Sequence, residues 1–231
     1  MKFLKGKLLF LRKSNRSNLL NTNPFSDDSS RLIKLFKKNK EKRIHFGCGP
    51  RVLKGWVNID LSFTPYADYL KYYTDQFYPS NIRGNKSDFV SFDVTKSPLP
   101  LKSNSVDLIF HEDFLEHLNQ KEQILFLAET FRVLKPGGVH RVNTPDLLSS
   151  MKSHSKFDLG FQGVFIEEWD KSLHLNLLTK KTLREMALMV GYKRVVFQRR
   201  NKSISSGIPR EYRPDPHDRP ENGNIFVDLI K

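Results

Sequence analysis

The 231-residue sequence predicts an α/β domain built around a mostly parallel sheet, and three observations carry that expectation. Seven short apolar runs are spaced between residues 43 and 230, and helical stretches separate several of them. A Gly-x-Gly turn, Gly47-Cys48-Gly49, directly follows the first run. Strands that alternate with helices form parallel sheets covered on both faces, because parallel neighbours are joined by crossovers. The length suits one such domain with a full core and is too short for two large ones.

Residues 1–41 read as a basic extension and residues 42–231 as the domain. Within the extension, residues 14–30 are rich in Asn and Ser without a period, which predicts a flexible linker. Asp28 to Ser30 then offer N-caps for a short helix carrying Leu32, Ile33, Leu35 and Phe36 among lysines. Such a helix either covers the domain or anchors to a surface, and covering is the commoner use. Strands are expected at 43–46, 56–60, 88–93, 106–111, 138–143, 193–199 and 224–230. One helix is expected from Asn119 to Leu134, because Asn119 and Glu122 have capping-box spacing. Ile124, Leu127, Ala128 and Phe131 would form its apolar face, with Pro136-Gly137-Gly138 as its stop. A second runs from Thr179 to Val190, with Leu183, Met186, Ala187 and Val190 on one side and Gly191 past its end. Residues 144–178 lack a period and read as active-site cover. Residues 210–220 are proline-rich and read as an exposed loop.

The formal net charge is +14, and it sits at the ends. Residues 1–43 hold thirteen Lys and Arg against three acids, whereas residues 44–192 hold seventeen of each sign. A nucleic-acid enzyme would more often be cationic around its cleft. The basic N-terminal segment itself suits contact with RNA or an anionic membrane, or a solvated tail. No apolar run approaches the length of a membrane span. Lys5 and Lys7 interrupt the apolar start, so no secretory signal is expected, and the single cysteine, Cys48, fits a reducing compartment. A cytoplasmic location, at most peripheral to the inner membrane surface, is the expectation. Too few His and Cys stand at ligand spacing to predict a metal site.

Gly47 and Gly49 end the first run, and the second ends on the carboxylate of Asp60. Glycines let backbone approach a ligand closely and a strand-tip acid accepts from ribose hydroxyls, so the pair predicts a nucleoside site. Only eleven residues separate Gly49 from Asp60, about half the spacing of a dinucleotide fold, which argues against NAD. Downstream come Phe92-Asp93-Val94, then Val106-Asp107-Leu108-Ile109-Phe110-His111-Glu112-Asp113-Phe114-Leu115-Glu116-His117-Leu118, then Arg132-Val133-Leu134-Lys135-Pro136-Gly137-Gly138. In this order, over residues 42–231, the motifs resemble the class I S-adenosylmethionine-dependent methyltransferases, and in particular small members with GCGP, GWVNID, LEHL and RVLKPGG motifs.

The resemblance implies a Rossmann-like, seven-stranded sheet with helices on both faces and an antiparallel last strand. It implies S-adenosylmethionine as cofactor, with Gly47, Cys48, Gly49 and Pro50 around its methionine and ribose. Asp60, with Leu61, would meet the ribose, and Asp93 and Val94 the adenine. His111 and Glu112 would face the methionyl group. His45 stands where many relatives place an acid, and Asp113 where the nearest ones show histidine; the usual third glycine is missing, since Pro50-Arg51-Val52 follows Gly49. The implied acceptor is a small molecule or a sugar of a surface glycan. RNA methylation through the basic termini, or cofactor binding without catalysis, are the other readings. A hydroxyl acceptor needs a base, for which His111, Asp113 and His174 are the candidates. Plainer roles are open at several of these positions: Cys48 as packing, Asp93 as a turn cap, Glu116 and His117 as local caps, His174 as structural. Asn143-Thr144-Pro145-Asp146 reads as a loop after the fifth strand.

Overall fold

A computed structural model describes residues 28–66, 78–154, 166–211 and 221–231. The rest of the chain, including linker residues 14–27, part of the 144–178 cover and most of the proline-rich loop, lies outside the described residues. The sheet has seven strands: β1 (Arg43–Phe46), β2 (Val57–Asp60), β3 (Phe89–Ser91), β4 (Val106–Glu112), β5 (Leu134–Pro145), β6 (Arg194–Phe197) and β7 (Asn224–Ile230). Their order is β3-β2-β1-β4-β5-β7-β6, with β7 antiparallel to both neighbours and every other pairing parallel. The chain leaves β1 toward β3 and returns on the other side of β1 as β4. The crevice at their carboxyl ends is therefore the topological switch point, where open α/β sheets bind ligands.

Among the described residues four α-helices accompany the sheet: α1 (Ser29–Lys38), α2 (Gln120–Val133), α3 (Leu147–His154) and α4 (Lys180–Val190). Helix α1, capped by Asp28, buries Leu32, Leu35 and Phe36 in the same core as Ile44, Ile59 and Val90. Arg31 donates to the carbonyls of Phe89 and Lys86, and Lys42 Nζ collects carbonyls at the carboxyl end of the helix. The helix is thus part of the domain's packing, as covering helices are.

Helix α2 starts with the expected capping box between Asn119 and Glu122. Its buried face differs from the one the sequence predicts. Ile124 is 43% exposed, while Gln123, Phe126, Leu127, Thr130 and Val133 are buried. Two polar side chains occupy that face because each is satisfied there. Gln123 Nε2 donates to the carbonyls of Leu115 and Asn176, and Thr130 bonds Tyr192 and the carbonyls of Phe126 and Leu127. The helix also stops before Pro136. Strand β5 begins at Leu134, and residues 135–138 bulge out between the Leu134–Val106 and Val139–Leu108 pairings, with Gly137 at φ +77°. At its other end β5 continues through Asn143, Thr144 and Pro145, which pair with β7, so this segment is strand where a loop was expected. Helix α4 matches its expectation, with a Thr179 cap, Leu183 and Ala187 buried, and Gly191 at φ +121°. No helix among the described residues is long and apolar enough to cross a membrane.

A fully buried charge cluster fastens the segment after β6 to the sheet. Arg141 on β5 donates to Glu211 at 2.6 and 2.9 Å and to Asp228 on β7 at 3.3 Å, all with inaccessible side chains. Glu211 and Asp228 also accept from the peptide N–H groups of Asn201 and Ile204. A buried ion pair contributes little net stability, yet removing one partner strands a charge. Glu211→Ala is therefore expected to cost about 3 kcal/mol in urea unfolding, whereas Glu41→Ala, at the solvent-facing pair with Arg43, costs under about 1 kcal/mol. Equal losses from the two variants would refute the distinction.

Candidate active site

The turn after β1 is built from two left-handed glycines, Gly47 at φ +57° and Gly49 at φ +50°. A Cβ on Gly47 would stand 2.5 Å from Phe114 Cδ2, whereas one on Gly49 would meet nothing within 4 Å. The first glycine is forced by packing, and the second lies beside open space. Asp60, at the tip of β2, holds the turn: its Oδ2 accepts from Gly49 N–H at 2.8 Å and its Oδ1 from Leu61 N–H at 2.7 Å. Pro50 is buried beyond the glycines. Cys48 is buried against Val52 and Phe89, and burial raises its thiol pKa, so it stays protonated and packs rather than reacts.

No helix fills the short gap between Gly49 and β2. Asn58 organises that loop instead, accepting from Leu53 N–H and donating to the carbonyls of Leu53, Trp56 and Asp88. Its Oδ1 also faces His45 Nδ1 at 3.2 Å. His45 is buried and stacked on Phe110, and burial together with the nearby Arg51 charge lowers its pKa to about 3. The structure therefore sets this histidine in the packing under the sheet, as a neutral group.

Arg51, which the sequence offers only as the residue displacing a third glycine, is a central member of the site. It is buried, ion-paired with Glu112 at the tip of β4, and bonded to the carbonyl of Arg210. The pair spans the switch point and locks the glycine turn to β4. Nothing short of the fold reveals it, since 61 positions separate the partners. Asp93, past β3, is engaged by its own turn: Oδ1 accepts from Thr95 N–H and Oγ1, and Oδ2 pairs with Lys96 at 3.3 Å. Val94 packs against the main core beside it.

The three candidate bases occupy different settings. His111 is completely buried among the rings of Phe114, Phe126 and His140, and neither ring nitrogen has a hydrogen-bond partner. Burial lowers its pKa to about 3, the charge of Asp113 acting the other way. It sits among core rings rather than at the surface of the crevice. Asp113 is half-buried and strained at φ +49°, with its N–H bonded to the carbonyl of Asn143. His174 is buried with Nδ1 at 2.7 Å from Glu168, and its ring lies 5.0 Å from that of His117. Glu116, in the turn after β4, receives Thr144 Oγ1 at 3.0 Å and lies beside His174. Gly47, Gly49, Asp60, Arg51 and Glu112 thus converge on the tips of β1, β2 and β4, while Glu116, His117 and His174 gather beyond β4. A separate cavity of about 410 Å³, lined by Arg43, Trp56, Pro79 and Pro209 among others, opens at the start of β1 and not at these tips.

Residues 44–142 match a family described as a methyltransferase domain. A protein of Mycolicibacterium smegmatis named a probable S-adenosylmethionine-dependent methyltransferase is 45% identical over 51 residues, which are 22% of this chain and 19% of that one. The match thus spans about a fifth of that relative's length. The crystal structure of a SAM dependent methyltransferase from Archaeoglobus fulgidus covers 88% of this chain with 92% of its own, at 13% identity and a TM-score of 0.50, which shows the shared fold. A SAM-dependent methyltransferase from Methanosarcina mazei covers 91% with 97% of its own, at 14% identity and a TM-score of 0.48.

The buried histidines give the fold a specific pH response. His45 and His111 ionise near 6.5 in an unfolded chain but only near 3 in the native one. Between those values the unfolded state binds more protons, so stability is full above about pH 6.5 and falls as pH drops. Chemical denaturation should lose about 2 kcal/mol per histidine between pH 6.5 and 5, and His111→Leu should flatten the slope. An unchanged slope in that variant would contradict the assignment.

Proposed function

We propose, from the match of residues 44–142 to a methyltransferase domain family, that the chain is a class I S-adenosylmethionine-dependent methyltransferase that methylates a small molecule or a sugar of a surface glycan. The observation that carries the reading is the backbone geometry at the tips of β1, β2 and β4. There an open-sided left-handed glycine turn and a strand-tip carboxylate 2.8 Å from its N–H occupy the switch point.

The residues present fit S-adenosylmethionine. Gly47 to Pro50 would lie along its methionine and ribose, Asp60 and Leu61 at the ribose hydroxyls, and Asp93 with Val94 at the adenine. Glu112, held by Arg51, would border the methionyl end, with His45 and His111 behind it in the packing. The bound cofactor supplies a methyl on a sulfonium, whose leaving group is a neutral thioether. The protein's part is alignment of the acceptor with that methyl, which accounts for much of the rate in such displacements. A hydroxyl acceptor also needs its proton removed. Of the three candidates Asp113, half-buried just past β4, is the proposed base, whereas His111 is enclosed and His174 is buried with Nδ1 committed to Glu168. Cys48 remains a neutral thiol and does not compete as nucleophile.

The neutral balance of residues 44–192 supports an uncharged or small acceptor over RNA. The thirteen cations of residues 1–43 favour the second reading, in which RNA or an anionic membrane is contacted by the N-terminal segment. Equilibrium binding of labelled S-adenosylmethionine tests the cofactor site. The intact chain should bind it and Asp60→Ala should weaken binding at least about 100-fold with its circular dichroism unchanged, the loss of a charge-assisted ribose contact together with a slackened turn. No binding at about millimolar cofactor would end the reading. A gain of one methyl mass in a glycan or metabolite pool would identify the acceptor class, and salt-sensitive labelling of RNA lost on deleting residues 1–43 would replace it.

A further inference from the structure

Two imidazoles and a carboxylate meet immediately past β4, in an arrangement that methyl transfer does not require. Glu116 and His117 lie in the single 3₁₀ turn Leu115–His117, and His174 arrives from the segment before α4. Glu116 Oε1 and His174 Nε2 are 3.9 Å apart, too far for a hydrogen bond, and one donor atom from each of the three residues falls within 4.8 Å of the others. We propose that Glu116, His117 and His174 bind one divalent transition-metal ion.

The surroundings match what such a site needs. Metal-binding histidines nearly always use their second nitrogen to hold a carboxylate or carbonyl, which fixes ring orientation. His174 Nδ1 does this with Glu168 at 2.7 Å, turning Nε2 toward Glu116. Glu168 is itself held by Ser150 Oγ, and the second oxygen of Glu116 by Thr144 Oγ1 at 3.0 Å. Each buried member therefore has a partner that orients it. The backbone is fixed independently of any ion. The N–H groups of Leu175 and Asn176 both donate to the carbonyl of Glu116, and Gln123 donates to the backbone carbonyl of Asn176 while accepting from its side-chain amide. Segments some 58 positions apart are thus held together before a ligand enters.

The donor set narrows the ion. Two imidazoles with one carboxylate suit zinc, cobalt, manganese, iron or nickel, while calcium and magnesium prefer oxygen donors. Donors about 2 Å from a tetrahedral ion sit about 3.3 Å apart, so donors that lie within 4.8 Å of one another must draw together by up to about 1.5 Å when the ion binds. Three protein ligands leave at least one coordination position for an outside oxygen. An acceptor hydroxyl bound there would ionise more readily; this last consequence rests on the methyl-transfer reading, whereas ion binding does not.

The test uses the full chain without a polyhistidine tag, stripped with chelator and dialysed against Zn²⁺ or Co²⁺. One ion per chain should be retained, and Co²⁺ should show the visible absorption of imidazole coordination. His117→Gln, at a half-buried position, and His174→Gln should each weaken retention at least about tenfold, and Glu168→Gln should do so by about tenfold with the spectrum largely kept. Thermal melting without metal checks that each variant folds. Retention well below one ion per chain, or affinity unchanged in both His117→Gln and His174→Gln, would overturn the proposal. Labelled S-adenosylmethionine binding on the same samples separates the two readings: cofactor binding without ion retention sinks only the ion site, and ion retention without cofactor binding sinks only methyl transfer.

Discussion

A single carboxylate holds the crevice in shape. Asp60 takes the N–H of Gly49 on one oxygen while its other oxygen, fixed by the N–H of Leu61, sets the carboxylate's orientation, so the tip of β2 and the turn after β1 cannot move apart without losing a charge-assisted bond. Left-handed backbone at two nearby glycines would otherwise be among the more mobile parts of the chain. The acid thus spends part of its acceptor capacity on rigidity. That is the arrangement of a preorganised site, in which ordering is completed at folding rather than at binding.

Buried arginines extend the same logic outward. Arg51 ties the glycine turn to Glu112 and to the carbonyl of Arg210, and Arg141 ties the neighbouring Glu211 to the sheet. Residues 199–211 are consequently fastened from two strands that are not adjacent, β5 by Arg141 and the β1 turn by Arg51. Neither pair is a large source of stability, given the desolvation of both partners. Their effect is positional: a segment with little regular structure is held to one path across the face of the sheet.

Most of the architecture was legible in the chain because local signals agreed with tertiary ones. Asn119 with Glu122, Thr179, and Gly191 mark helix ends by backbone hydrogen-bond chemistry alone, and the structure keeps all of them. The buried face of α2 was misread because apolar periodicity does not register Gln123 and Thr130, polar groups that tertiary partners satisfy. Strand β5 was read short because Pro136-Gly137-Gly138 resembles a stop, whereas a bulge absorbs it. The glycine turn and Asp60 are recognisable as neighbours from their spacing at the ends of successive strands, and the Gly49–Asp60 bond joins them. Arg51 with Glu112, and Glu168 with His174 behind Glu116, were not, because a pairing made across the fold leaves no local trace.

Phe114 and Gly47 restrict how this turn can change over time. The ring stands where a Cβ would go, 2.5 Å from it, and the backbone at that position has φ +57°. Trimming the ring would free the volume without altering the dihedral, and relaxing the dihedral would unseat Gly49 from Asp60. Two obstacles of different origin therefore act at one position, a ring in the place of a Cβ and a backbone conformation that side chains adopt rarely. Descendants of this chain should hold Gly47 fixed however far the remainder diverges.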